Sequence, residues 1–276
     1  MAKKSNGNGG GNALTVIEPA NYPALDPNSD VREAMLANMQ GAQMSESDLV
    51  RVPTPAGGGT KWVVPELQGE EILAELTGIL VYYGPRGVLW PTEEPNESMP
   101  LLLSHDLITA VRVGDDYGDI DPDELEKYRL GDLQKGQIGE REFRTHVYDW
   151  LGLPWNQWGS GKNGIGKRCK ESRLLFLLRE AEVFPLLVRA QTGSLETVRP
   201  FVMRLSNVGV PYWRAVVSLG LQAVTSHGGQ KYAQIVPTLV GTLDKETGEQ
   251  VRKLYTEPLR AMASGALASG REGTGE

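Results

Sequence analysis

What the chain lacks already narrows what it can do. Among 276 residues there is one cysteine, Cys169, there are three histidines, and no apolar run approaches the roughly 18 residues a membrane-spanning helix requires. The lone cysteine excludes an internal disulfide framework and a multi-cysteine zinc ribbon, and it fits a reducing cytoplasm. Zinc held by histidine and carboxylates stays open. The opening MAKKSNGNGGGN has lysines but no apolar run behind them, so neither a secretory signal nor a membrane partner is expected. Positive charge is also short: 28 Lys+Arg face 35 Asp+Glu, a net charge of −7, so a polyanion must be met by a local patch rather than by the whole surface. What is present is enough apolar side chain, 40% of the residues, to build the core of one large or two small domains.

Residues 1–60 read as a mobile arm, because Gly and Asn repeats followed by Pro19, Pro23 and Pro27 bury too little apolar surface to offset ordering entropy. Within it, Asp30 caps a predicted short helix with Val31, Ala34, Met35 and Met39 on one face and Gly41 as its stop; Pro53–Gly59 is a second linker. The body spans 61–262. Lys61–Leu67 and Ile72–Tyr83 are rich in β-branched and aromatic residues, and Gly84-Pro85-Arg86-Gly87 reads as a turn before Val88-Leu89-Trp90, which predicts a hairpin. Strand character is lost over 91–161, where acidic residues crowd between Asp115 and Asp132, so this stretch reads as an acidic insertion or small subdomain. It returns in Ser172–Arg179 and Val183–Ala190, apolar on both faces and therefore interior.

Pro200 is expected in the first turn of a helix that buries Phe201, Val202 and Leu205. Trp213–Ala223 alternates as a half-buried strand, and Lys231–Gly241 returns beside it after the Ser226–Gly229 turn. Asp244 caps a closing helix carrying Val251, Leu254, Tyr255, Leu259 and Met262, which Pro258 bends or ends; 263–276 is a flexible tail. The fold class is thus mainly β with flanking helices (α+β), and the order fits an oligonucleotide-binding (OB)-like antiparallel barrel with an acidic inserted segment and a C-terminal helix. An antiparallel sheet covered by helices fits the same order.

The most informative local signal runs from Trp155 to Arg173. Lys162, Lys167, Arg168, Lys170, Arg173 and Arg179 face only Glu171 between Gly159 and Arg179, the strongest basic concentration in an acidic chain. Gly159, Gly161, Gly164 and Gly166 let a backbone approach an anion, the cations supply charge, and Trp155 and Trp158 offer faces for base stacking. The plainer alternative is a solvated loop whose tryptophans plug the end of the barrel. One of Tyr82 and Tyr83 must face away from the core of a regular strand, and with Arg86 in the turn it is a second stacking candidate.

Other constellations are weaker. Gly161–Lys167 has the G-x-x-x-x-G-K spacing of a nucleoside-triphosphate loop, but Arg168 stands where a Ser or Thr hydroxyl must hold Mg²⁺ and no buried strand precedes it. Counted from Asp119, the acidic run has Glu124 where an EF-hand needs glycine and Leu130 where it needs glutamate, so a solvated acidic surface is expected. His105, His146 and His227 are scattered, and Ser104-His105-Asp106 are too close in sequence to form a relay. Cys169 sits among cations that lower a thiol pKa, yet it has no partnering base.

Trp62-Val-Val-Pro65, Gly78-Ile-Leu-Val81, Trp90, Asn156-Gln-Trp158-Gly-Ser, Gly164-Ile-Gly-Lys167-Arg-Cys-Lys170 and Arg173-Leu-Leu-Phe176 together carry a resemblance. The chain resembles a group of phage and mobile-element proteins regarded as single-stranded-DNA-binding proteins with an OB-like core. The resemblance covers about 61–262 and is most specific over 156–176. Members of that group often carry cysteine pairs in the inserted segment, which suggests a zinc knuckle; here Trp150 and Leu153 stand at one pair and Ser104–Asp106 lack the other, which argues against zinc.

The expectation is therefore a cytoplasmic, non-enzymatic protein without cofactor or metal. It binds single-stranded DNA without strong sequence preference in phage or mobile-element replication or recombination. Lys162, Lys167, Arg168, Lys170 and Arg173 contact phosphates; Trp155, Trp158 and the outward member of Tyr82 and Tyr83 stack bases, with Arg86 nearby. A homo-oligomer and contacts with replication or recombination proteins are compatible with it. Two alternatives remain: a nucleotide or nucleic-acid enzyme gripping phosphate with the Gly-Lys loop, and a structural or protein-interaction protein. A double-stranded-DNA reader is disfavoured by the lack of a basic recognition helix.

Overall fold

The computed structural model describes residues 15–17, 22–26, 29–30, 33–34, 37, 46–93, 99–138, 141–226 and 228–265. The helix expected from Asp30 to Gly41 falls largely outside them, as do His227 and most of the tail. The protein is mixed α+β, mostly strands in one ten-stranded sheet with few helices.

The sheet is organised around β4 (Glu75–Leu89), whose valines, leucines and tyrosines suit a pleated strand buried on both sides. One edge of β4 pairs antiparallel with β9 (Lys170–Leu178), which pairs with β10 (Leu186–Ala190), and β1 (Arg51–Val52) adds in parallel to β10. The other edge is shared. β11 (Ala215–Thr225) pairs with Glu75–Ile79 and is followed outward by β12 (Lys231–Thr242), while β5 (Leu102–Ser104) pairs with Gly87–Leu89.

The predicted hairpin at Gly84–Gly87 does not form: β4 runs straight through it. Pro85 is tolerated because neither β11 nor β5 reaches that stretch of edge. The C-terminal helical segment covers the gap instead, and the buried Thr256 hydroxyl donates to the Val81 carbonyl at 2.7 Å.

Both faces of this central sheet are covered. On one, Leu80, Leu175, Leu177, Val188, Val217 and Ile235 pack with Trp62 from the hairpin β2 (Trp62–Pro65)/β3 (Glu70–Leu73) and with Val198, Phe201 and Leu205 of a helix, Leu195–Asn207. On the other, Ile79, Leu174, Phe176, Leu187 and Val216 meet the C-terminal segment through Val251, Tyr255 and Leu259. Tyr22, Leu25 and Leu49, from the segment read as an arm, are buried in the same layer.

Among the described residues no pairing joins β12 to β10 or β1, so no closed barrel forms. Polar side chains from the start of the Leu195–Asn207 helix satisfy the β12 edge: Ser194 Oγ accepts from Ile235 N at 3.0 Å, and Thr197 Oγ1 donates to Ile235 O at 2.5 Å. Pro200 lies inside that helix, past its first turn, on the exposed face.

Contrary to the expectation of lost strand character, the acidic insertion contains β5, β6 (Thr109–Arg112), α1 (Pro122–Glu126), β7 (Arg129–Ile138) and β8 (Arg141–Asp149), and it extends the main sheet in the order β5-β6-β8-β7. Counting α1 first, the Leu195–Asn207 helix is α2. The insertion has its own core of Leu101, Leu102, Ile120, Leu125, Tyr148, Trp150 and Leu153, so its acids occupy the outside of a packed unit.

The closing helix begins as expected at Asp244, whose carboxylate accepts from Thr247 N at 2.9 Å. It continues as α3 (Lys245–Val251), a π turn (Arg252–Thr256) and α4 (Glu257–Gly265). Pro258 does not end it, because the preceding π turn shifts the hydrogen-bond register just where a proline N–H is missing. Among the described residues no helix is long and apolar enough to cross a membrane.

Candidate functional site

The Gly-Lys loop is a built turn. Gly159 N and Gly161 N donate to Gly166 O at 2.7 and 3.2 Å, Gly164 N to Gly161 O at 2.9 Å, and Ile165 N to Lys162 O at 3.1 Å. Gly159, Gly164 and Gly166 have φ of +92°, +74° and +69°, and a Cβ on Gly161 would lie 2.2 Å from the Ile165 carbonyl oxygen. The glycines therefore serve the loop's own geometry, and these amides are already used, so they form no cradle for a phosphate. A 3-10 turn precedes the loop and strand β9 follows it, which is not the strand-loop-helix setting of a nucleoside-triphosphate site.

The predicted site residues separate into two groups. Trp158 is 82% exposed and Ile165 75% exposed, both on the loop. Lys162 and Lys170 are exposed and line a cavity of ≈ 380 Å³. Lys170 donates to the Lys167 carbonyl at 2.7 Å, a neutral partner, and makes no ion pair among the described residues.

Of the other residues of this segment, Lys167, Arg168 and Arg179 are held in ion pairs and Trp155 is partly packed, while Arg173 meets a neutral carbonyl. Arg168 spans the insertion and the sheet, donating to Pro91 O at 2.8 Å and to the Asp119 carboxylate. Lys167 donates to Asn156 Oδ1 at 3.2 Å and pairs with Glu171 at 3.1 Å. Arg179 is held by Glu66, Glu71 and Glu182. Trp155 is half-buried against the insertion core. Arg173 is half-buried, donating to Ser172 O at 3.1 Å.

Tyr82, Tyr83 and Arg86 correct the sequence reading most clearly. Tyr82 is buried against Phe176 with ring centroids 5.1 Å apart, and burial raises its hydroxyl pKa. Tyr83 turns to the opposite core beside Tyr212. Neither is outward, because both faces of β4 are covered. Arg86, expected in an exposed turn, is 4% exposed within β4 and pairs with Glu46 at 2.5 Å.

The structure adds two residues to the cavity wall that sequence reasoning did not single out for binding. Trp90 follows β4, and Arg189 reaches in from β10. The signal for Arg189 was legible: a lone cation inside Leu186-Leu187-Val188-Arg189-Ala190, an otherwise apolar interior strand. Burial, then the neighbouring Arg86, holds its guanidinium below the ordinary arginine value.

Cys169 is buried, and desolvation overrides the surrounding cations and pushes the thiol up to about 12, the wrong direction for a nucleophile. His105 is pushed down to about 4, by burial first and then by Arg86. The acids of the insertion are spent on caps and ion pairs: Asp121 caps α1, Asp115 pairs with Arg112, and Asp132 with Arg129 and His146. Among the described residues no group of three or more His, Cys, Asp or Glu is placed to hold a metal ion. Compared with family models, curated proteins and solved structures, the chain matches none.

Proposed function

We propose that the protein binds single-stranded DNA without strong sequence preference, as expected of a replication or recombination protein of a phage or mobile element. The observation that carries this reading is the hydrogen-bonded loop that presents Trp158 to solvent while Gly161 and Lys162, further along it, line a cavity with Lys170 and Arg189. An exposed aromatic face beside a cluster of cations is what a flexible, unpaired strand requires: stacking is indifferent to base identity, and the cations take the backbone.

The strand order supports an OB-like reading of the fold. β12-β11-β4-β9-β10, with α2 between β10 and β11, follows the order of an OB barrel opened along one seam. In that architecture the second and third strands and the loop after the first face the ligand. Those correspond here to β9, β10 and the insertion with its Gly-Lys loop, the walls of the cavity. This support is an analogy of fold and adds to the chemistry of the site without replacing it.

The test is a fluorescence titration with labelled single-stranded oligonucleotide, duplex DNA and RNA over a range of salt, with the Lys162→Glu/Lys170→Glu double variant beside the wild type. The expected result is single-strand binding that weakens steeply with salt and is lost in the double variant. Absence of binding at low salt overturns the reading.

A further inference from the structure

The cavity beside the glycine loop is lined by two cations, Arg189 and Lys170, that make no ion pair among the described residues. Arg189 projects into it from a strand whose neighbours, Val188 and Ala190, belong to the core. Among the described residues its guanidinium makes no hydrogen bond and no ion pair. Glu46, the carboxylate whose charge acts on Arg189, is paired with Arg86 at 2.5 Å. A guanidinium offers five donors and no acceptor, so one that is partly buried beside another guanidinium is stabilised by an anion or left uncompensated.

The other walls fit the same ligand. Lys170 contributes an ammonium whose only hydrogen bond among the described residues goes to a carbonyl, and Trp90 contributes an aromatic surface. Arg168 also lines the cavity but is neutralised by Asp119, and of the two lining carboxylates Glu171 is engaged by Lys167 while Glu93 is exposed. Arg189 and Lys170 together carry the two positive charges that match one phosphate. A volume of ≈ 380 Å³ is of the size that encloses a small ligand rather than a bare ion.

We propose that this cavity takes one nucleotide, free or within a strand, with its phosphate held by Arg189 and Lys170 and its base beside Trp90. The proposal rests on the nucleic-acid reading of this surface and adds the unit that is gripped, a nucleotide phosphate, and the residue that grips it, Arg189. It also makes Arg189 a different kind of cation from those of the loop, a fixed anchor at one phosphate and not part of a diffuse track.

The test compares dTMP with thymidine, which lacks the phosphate, by isothermal calorimetry on the full chain, wild type and Arg189→Gln. The expected result is that dTMP binds at least tenfold more tightly than thymidine, and that Arg189→Gln removes this preference while melting like the wild type. Lys170→Gln, at an exposed position, guards against a fold defect and is expected to weaken dTMP binding by several-fold. Equal binding of dTMP and thymidine, or an unchanged preference in Arg189→Gln, overturns the proposal.

A parallel titration with 5′-hydroxyl and 5′-phosphorylated oligothymidylate separates this outcome from the fate of the single-strand reading. If oligonucleotides bind but dTMP shows no Arg189-dependent preference, the nucleotide site fails and the single-strand reading stands. If dTMP binds through Arg189 and no oligonucleotide binds, the site stands and the single-strand reading fails. Displacement of dTMP by both oligonucleotides identifies an internal phosphodiester as the ligand, and displacement by the phosphorylated one alone identifies a strand end.

Discussion

Two groups of cations lie within a short stretch of surface and are used in opposite ways. At the base of the glycine loop, Lys167 and Arg168 are tied to Asn156, Glu171, Pro91 and Asp119, and so lock the insertion to the sheet. On the cavity wall, Lys170 donates to a neutral carbonyl and Arg189 lies beside a second arginine without a carboxylate of its own. The residue types are the same and the neighbours differ. A run of basic residues therefore marks where positive charge is concentrated, but the pairing within the fold decides which of it remains for a ligand.

The comparison is broken most directly at Arg168. Its guanidinium is largely buried and bridges a main-chain carbonyl and a carboxylate, so Arg168→Ala is expected to lower the unfolding free energy by about 2–3 kcal/mol in urea denaturation. An unchanged midpoint would make Arg168 a spare cation like those on the wall.

A similar effect is expected from pH at His105, which sits near Arg86 with both ring nitrogens buried and without a partner among the described residues. Unfolded, it takes a proton near its ordinary value of 6.5; folded, only near 4. Between those values the unfolded chain binds a proton that the folded chain refuses, so this group's contribution is full above pH 6.5 and falls as the pH drops toward 4. The loss amounts to at most about 3 kcal/mol. Denaturation curves of His105→Gln taken at pH 7 and pH 4.5 should lie closer together than those of the wild type, and parallel shifts in the two proteins would remove His105 from the account.

The exposed side of the comparison is probed by Trp158→Ala. Stability should stay within about 0.5 kcal/mol, because the ring is in solvent, while oligonucleotide binding weakens by about 1–3 kcal/mol. A loss of stability with binding intact would turn Trp158 into a packing residue. The smallest effect has the opposite sign to that at Arg168: Arg189→Gln should leave the unfolding free energy unchanged or raise it by about 0.5 kcal/mol at low salt, since it relieves repulsion with Arg86. A clear fall in stability would mean that Arg189 has a structural partner.

Much of this arrangement was legible in the residues. Asp244 reads as a cap because a carboxylate preceding a helix can accept from free N–H groups, and it does so with Thr247. β9, β10, β11 and β12 appear within a few residues of their expected places, because apolar and β-branched runs bounded by turn residues have few other ways to bury themselves. The exposed Trp158 and the cavity-lining Lys162 and Lys170 come from the Trp155–Arg173 segment that the sequence singled out. The Gly84–Gly87 segment misled because glycine and proline are turn residues by local preference, whereas β4 tolerates Pro85 at an edge that no neighbouring strand reaches.

By itself the sequence determined where β9 to β12 and the Asp244 cap form and where basic charge is concentrated, but not the strands of the insertion. These follow from short-range preferences and from composition, which each segment carries with it. Only the tertiary structure decided that both faces of β4 are covered, which removed Tyr82, Tyr83 and Arg86 from the candidate surface. It also decided that Arg168 is a strut and that Arg189, 21 positions further along the chain, shares a cavity with Lys170. The physical reason is that burial and charge pairing are properties of contacts between distant segments: a guanidinium is free or spent according to which carboxylate the fold brings to it.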